Sequence, residues 1–181
     1  MDNYIKIYEN VFDDKFCQSV INKFEINLHQ HEIYKTNNMS FTQTNIMDSK
    51  WNNWKEETNL IYDALMNCVS LYKKEYNPIW PSKYGFESIR IKKYLPDGND
   101  YFGNHVDVKD NKNCIRFLVF FLYLDDNLKG QTIIKPKGDE VISNCKRGNV
   151  LIFPPMWTHP HSGERPVNKP KYIIGSYLHY V

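Results

Sequence analysis

The sequence has no cysteine pair at metal-knuckle spacing, no long apolar run and almost no net charge. Its four cysteines, Cys17, Cys68, Cys114 and Cys145, lie far apart and form no CxxC. That excludes a disulfide-dense scaffold and argues against a four-cysteine zinc site; reduced thiols in a cytoplasmic setting are expected. No apolar stretch approaches the roughly 18 residues of a membrane span, so no membrane partner is expected. The opening MDNYIKIYEN lacks the basic-then-apolar order of a secretory leader. The 23 basic and 21 acidic side chains nearly cancel and are interspersed, so no nucleic-acid partner is expected either. No internal repeat or long linker is visible. What is present is 41% hydrophobic residues in 181, enough for a packed core in one domain spanning 1–181. Nothing here speaks to oligomeric state.

The chain changes character near Pro81. Residues 1–82 read as a helical support region and 83–181 as a β-rich core. Residues 4–8 alternate as a short strand. Asp13 and Asp14 mark a helix start, and Phe16, Cys17, Val20, Ile21, Phe24 and Leu28 make its apolar stripe. Residues 36–47 are polar and read as a loop with a short strand near FTQTNI. Ser49 is the expected cap of a second helix reaching about Asn77, with Trp54, Ile61, Leu65, Cys68, Val69, Tyr72 and Tyr76 on one face. Strands are expected at 86–95, 115–124, 131–135, 139–143, 149–153 and 171–181, separated by turn signals such as Pro96-Asp97-Gly98 and Arg147-Gly148. The run 115–124 is apolar on both parities, so it should be central and covered on both faces. The expected fold is therefore α+β and β-rich, a jelly-roll sheet with helices on one side.

His105-Val106-Asp107 is the one HxD in the chain. On extended backbone, positions i and i+2 point the same way, so an imidazole and a carboxylate can reach one metal ion. A third ligand could come from His159 or His161, which parity alone does not separate. Two histidines and a carboxylate leave open coordination positions, the facial arrangement of non-haem Fe(II) oxygenases.

The surrounding residues resemble the Fe(II)- and 2-oxoglutarate-dependent dioxygenases, in particular the prolyl 4-hydroxylase-like branch. The resemblance runs through Tyr94 before Pro96-Asp97-Gly98, His105-Val106-Asp107, Arg116 with Tyr123-Leu124-Asp125, Gly130-Gln131-Thr132, Gly148 to Phe153, and His161-Ser162-Gly163 followed by Pro166-Val167 and Lys171-Tyr172. It covers about 86–181. It departs at Lys129-Gly130-Gln131-Thr132, which lacks a first glycine and a glutamate, and at Asn168-Lys169-Pro170, which lacks a glycine before the lysine.

The resemblance implies a double-stranded β-helix core, cupin-like in outline. It picks His161 over His159 as the third iron ligand beside His105 and Asp107. It implies that Lys171 grips the far carboxylate of 2-oxoglutarate, with Tyr123 and Tyr94 as hydroxyl donors, and that Arg116 and Tyr177 lie near the substrate. Fe(II), 2-oxoglutarate and O2 are the implied reactants, with ascorbate as an auxiliary reductant. The implied reaction is hydroxylation of an unactivated C–H bond, in the first instance prolyl 4-hydroxylation of a peptide or protein, with succinate and CO2 as co-products. A free amino acid or other small metabolite is the alternative substrate. A non-enzymatic metal-binding jelly roll is the alternative outside catalysis. Asp107 argues against a halogenase, which needs that carboxylate position vacated.

Overall fold

The computed structural model describes residues 4–96 and 100–181. Two helices precede most of the strands. Helix α1 (Asp14–Ile26) begins where the Asp13 carboxylate accepts the Phe16 N–H at 2.8 Å. Helix α2 (Lys55–Tyr76) starts later than Ser49, after a short 3-10 turn at Asn52–Trp54. The delay has a local cause. Asp48 takes the Lys50 N–H on its carboxylate and the Trp51 N–H on its carbonyl, a turn that uses up the capping geometry before the helix begins. Asn77 ends α2 in left-handed backbone, as Asn tolerates.

The strands are β1 (Lys6–Tyr8), β2 (Glu32–Lys35), β3 (Met39–Asn45), β4 (Tyr84–Phe86), β5 (Arg90–Tyr94), β6 (Tyr101–His105), β7 (Arg116–Tyr123), β8 (Asn127–Ile134), β9 (Val141–Cys145), β10 (Val150–Phe153), β11 (His161–Gly163) and β12 (Lys171–Tyr180). All pair antiparallel, in the order β1-β10-β7-β12-β5-β3-β6-β11-β8-β9, with β2 on β3 and β4 on β12. The sheet curls over itself into a jelly roll, as the strand pattern predicts, in the double-stranded β-helix form that the resemblance implies.

Four expectations need correction. The polar stretch 36–47 is less loop than expected: the short strand expected near FTQTNI is present and extends over Met39–Asn45 as β3. Its polar side chains are consumed internally: Ser40 donates to Asp100 at 2.7 Å and Thr44 to the Gln30 carbonyl at 3.1 Å. Residues 101–104, which follow the Pro96-Asp97-Gly98 turn signal and lie in none of the expected strands, belong to β6; residues 97–99 lie outside the described residues. The single strand expected at 86–95 is two strands, interrupted where the Glu87 N–H bonds the Tyr177 carbonyl and the Ile89 carbonyl accepts from Ile46. The segment before the last strand contains β11, too short to show a period in sequence.

Strand β7 is buried on both sides, as its composition demands. Leu118, Phe120 and Leu122 point to the helices, with Ile91, Val150, Ile152, Tyr172, Ile174 and Leu178 from neighbouring strands. There they meet Val20, Phe24, Trp54, Ile61, Leu65 and Val69. Val119, Phe121 and Tyr123 point into the roll, with Tyr94, Leu151, Phe153 and Ile173. Alternation along the strand therefore sorts one sequence into two cores.

Candidate metal centre

Strand β11 pairs with β6 so that His161 lies directly opposite His105. Just past β6 the Asp107 N–H bonds the Pro155 carbonyl at 3.0 Å, and Val108 bonds the same oxygen at 3.1 Å. That pins the segment and brings its carboxylate back to the two rings. Asp107 Oδ1 is 3.4 Å from His105 Nε2, and Asp107 Oδ2 is 3.4 Å from His161 Nε2. One donor atom from each of the three falls within 4.8 Å of the others. Asp107 and His161 are buried and His105 nearly so.

Each ring is oriented by backbone. His105 Nδ1 lies 2.8 Å from the Gly103 carbonyl, and His161 Nδ1 lies 3.1 Å from the His159 carbonyl. A carbonyl only accepts, so both Nδ1 atoms carry the proton and both Nε2 lone pairs face inward in the neutral rings. His105 also stacks on Phe102 with centroids 3.8 Å apart, and the Phe153 ring meets His161 edge-on at 4.8 Å.

The inward atoms have no partners. His105 Nε2, His161 Nε2 and Asp107 Oδ2 are buried without a hydrogen bond. Orphaned buried polar atoms are costly, and three facing one another call for a shared partner. The 3.4 Å gaps are too long for good hydrogen bonds. They suit a cation, because metal bonds of about 2.1 Å at right angles place donors about 3 Å apart. The residues present thus fit a divalent first-row ion held by two imidazoles and one carboxylate. Burial by itself would raise the Asp107 carboxyl, but the two imidazoles facing it, in their protonated form, hold it well below the usual carboxylate range.

A narrow cavity of about 20 Å³ runs from His105 and His161 to Lys171, past Tyr94, Phe121 and Thr132. That is room for one water, so a larger occupant needs the flexible side chains of the wall to move. Lys171 begins β12 opposite Tyr94 and is buried. Its ammonium lies 5.6 Å from the Tyr94 ring centre and 5.9 Å from that of Tyr123. Burial lowers its pKa, and no carboxylate lies within 4 Å of it among the described residues. Gly130 makes this possible: a methyl there would stand 3.0 Å from the Lys171 Cδ.

The remaining named residues fall in different places. The Tyr123 hydroxyl is engaged with Thr132 at 2.8 Å and Ser143 at 3.1 Å. Thr132, which the sequence offers only as the end of Gly-x-Thr, is therefore part of the cavity wall. Arg116 is gripped by both Glu87 oxygens, at 2.6 and 2.7 Å, and lies over the Tyr177 ring at 3.9 Å. Burial raises the Tyr177 phenol, and the nearby Asp107 adds to the rise. His159 precedes β11 in a turn, so strand parity does not apply to it. Its ring bonds the Thr158 hydroxyl at 2.8 Å and lines a different, larger cleft of about 680 Å³ beside Trp80, Phe117 and Met156. No three-residue ligand set lies in that cleft among the described residues.

Neither a scan against protein-family models nor a search of curated protein sequences finds a match. Solved structures do match. A viral collagen prolyl hydroxylase from Paramecium bursaria Chlorella virus-1, in its 2OG complex, superposes with a TM-score of 0.75 at 18% identity, over 98% of this chain and 97% of that one. A Pseudomonas putida prolyl-4-hydroxylase gives 0.75 at 12% identity, over 99% and 94%. A Trichoplax adhaerens prolyl hydroxylase, bound to a peptide fragment of the hypoxia inducible factor oxygen degradation domain, gives 0.78 at 15% identity, over 98% and 84%. At these identities the likeness establishes the fold: this chain is built on the double-stranded β-helix of the prolyl 4-hydroxylase-like oxygenases.

Proposed function

We propose that this protein is an Fe(II)- and 2-oxoglutarate-dependent dioxygenase that hydroxylates a C–H bond, with a peptidyl proline as the substrate and C4 as the position. One observation carries the reading. Three buried, unpartnered donor atoms converge at one end of a cavity whose other end holds a buried lysine without a carboxylate partner. A metal ion satisfies the first, and the distal carboxylate of a keto diacid satisfies the second. When bound, the iron, 2-oxoglutarate and O2 together supply the oxidation, placing one oxygen atom in the product hydroxyl and the other in succinate as CO2 leaves.

The chain's own residues bind, orient and exclude water. His105, Asp107 and His161 hold the ion, and the Gly103 and His159 carbonyls fix the two rings so that loading needs no tautomer change. Lys171 provides a point charge for the far carboxylate, and Tyr94 and Tyr123 flank it. Phe102, Phe121 and Phe153 pack against or near the two imidazoles and keep the site dry, which strengthens every charge interaction inside it. Arg116 and Tyr177 stand beside Asp107 as the substrate-side wall. The solved prolyl hydroxylase with a peptide bound supports a peptide as the kind of partner. Cytoplasmic residence fits four free thiols and the absence, among the described residues, of a helix long and apolar enough to cross a membrane.

The test is direct. Anaerobic addition of 2-oxoglutarate to the Fe(II)-loaded protein should produce a weak visible charge-transfer band, and His105→Ala should abolish it. In air, succinate should form with a proline-containing peptide, and mass spectrometry should find one added oxygen. Fe(II) binding with no spectral response to 2-oxoglutarate would instead mark a metal-binding module.

A further inference from the structure

One cation in the cavity has no work in this scheme. Lys92 sits on β5, two residues before Tyr94 and on the same face, and lines the cavity with His105, His161 and Lys171. Its ammonium lies 4.8 Å from the Phe41 ring centre and 5.5 Å from that of Phe102. Phe102 in turn stacks on His105, so the charge stands one aromatic ring from the metal ligands. Among the described residues no carboxylate is within ion-pair distance of it.

Its neighbours make the contrast. Lys93, next along the strand and on the helix side, pairs with Glu25 at 2.8 Å. Arg116 is neutralised by Glu87. Two aromatic rings attract the Lys92 ammonium less than a desolvated charge demands. Burial accordingly pulls its pKa down to about 8.

Charge balance sharpens the point. With the site loaded as proposed, the divalent ion and Lys171 offset the Asp107 carboxylate and both carboxylates of 2-oxoglutarate. The balance closes without Lys92 and leaves its positive charge over.

We infer that Lys92 is a specificity-determining residue: it binds a carboxylate on the primary substrate, close to the carbon that is hydroxylated. The inference rests on the oxygenase reading above and narrows it to acidic substrates. The carboxylate has two sources, an acidic side chain beside the proline of a peptide, or the free α-carboxylate of an amino acid.

Two matched pairs separate them: capped peptides with Asp or Asn next to a central proline, and L-proline against L-prolinamide. Each is titrated into the anaerobic Fe(II)·2-oxoglutarate protein, with binding read by calorimetry and by perturbation of the visible band. In one pair the acid should bind about tenfold or more tighter than its amide, the scale of one charge-assisted hydrogen bond. The pair that shows this names the source. Lys92→Met should erase the preference, Lys92→Arg should keep it, and both should bind 2-oxoglutarate within about threefold of the unaltered protein. A band with no acid preference in either pair, or a preference that survives Lys92→Met, overturns the inference and leaves the oxygenase reading standing. A loss of 2-oxoglutarate affinity beyond tenfold in Lys92→Met also overturns it, because the lysine would then serve the co-substrate. No band in the unaltered protein ends both.

Discussion

The two faces of the same strands solve opposite problems. Toward the helices, β5, β7, β10 and β12 bury Ile91, Phe120, Ile152 and Ile174, and the charges at that rim are paired, Lys93 with Glu25 and Lys23 with Glu57. Toward the inside of the roll, residues one step along the same strands hold Lys171 buried and Lys92 half-buried, without acid partners, and face three orphaned donor atoms. One face lowers the free energy of folding; the other spends part of that margin to hold charge where water is scarce. The lesson is that position within an alternating strand, rather than the strand itself, decides whether a residue serves stability or chemistry.

Breaking one face should leave the other intact. His161→Ala should remove Fe(II) binding and all succinate formation, while the thermal midpoint of the metal-free protein holds or rises, since an orphaned buried nitrogen is gone. Phe120→Ala, on the helix side of β7, should cost about 3–5 kcal/mol in denaturant unfolding yet leave Fe(II) affinity of the folded protein unchanged. A collapse of iron affinity there would erase the distinction between the faces. Lys171→Ala should raise the 2-oxoglutarate requirement about a hundredfold or more, with iron affinity altered far less. Iron loss with unchanged co-substrate affinity would refute the role given to Lys171.

The smallest effect belongs to the rim at the end of β7. Asp125 accepts from Arg147 at 2.5 Å and Lys169 at 2.6 Å. Partial burial opposes ionisation, but these two cations lower its pKa. A depressed carboxyl contributes stability above its unfolded value of about 3.9 and loses it as pH falls through the folded value. Asp125→Asn should therefore cost about 1 kcal/mol near neutrality and flatten the acid limb of the stability profile below about pH 4. An unchanged acid limb would place the pH response elsewhere.

Much of this was readable in the sequence. The double apolar character of 115–124 marked a strand covered twice, and the helical stripes on α1 and α2 are the faces that cover one side of it. The HxD register and the H-x-G before Lys171 brought forward the three residues that meet. What escaped has a common physical cause. In β3 and β6 the polar side chains find partners only in the folded chain, as Ser40 does with Asp100, so composition imitates a loop. Lys92 looked like any lysine in a basic run, because its burial depends on which face β5 turns inward. Parity with Tyr94 was the available signal. His159 and His161 share parity, so alternation could not tell them apart; the structure separates them because the first lies in a turn that alternation does not describe.

The holders of the two imidazoles are peptide carbonyls, each two residues upstream of the ring it orients. A side-chain holder can be deleted by one codon change; a main-chain oxygen persists through any replacement that keeps the local path. Ligand aim is thus inherited through the shape of the backbone. Side chains around these rings can therefore be exchanged without losing their aim, as long as the local main-chain path is kept.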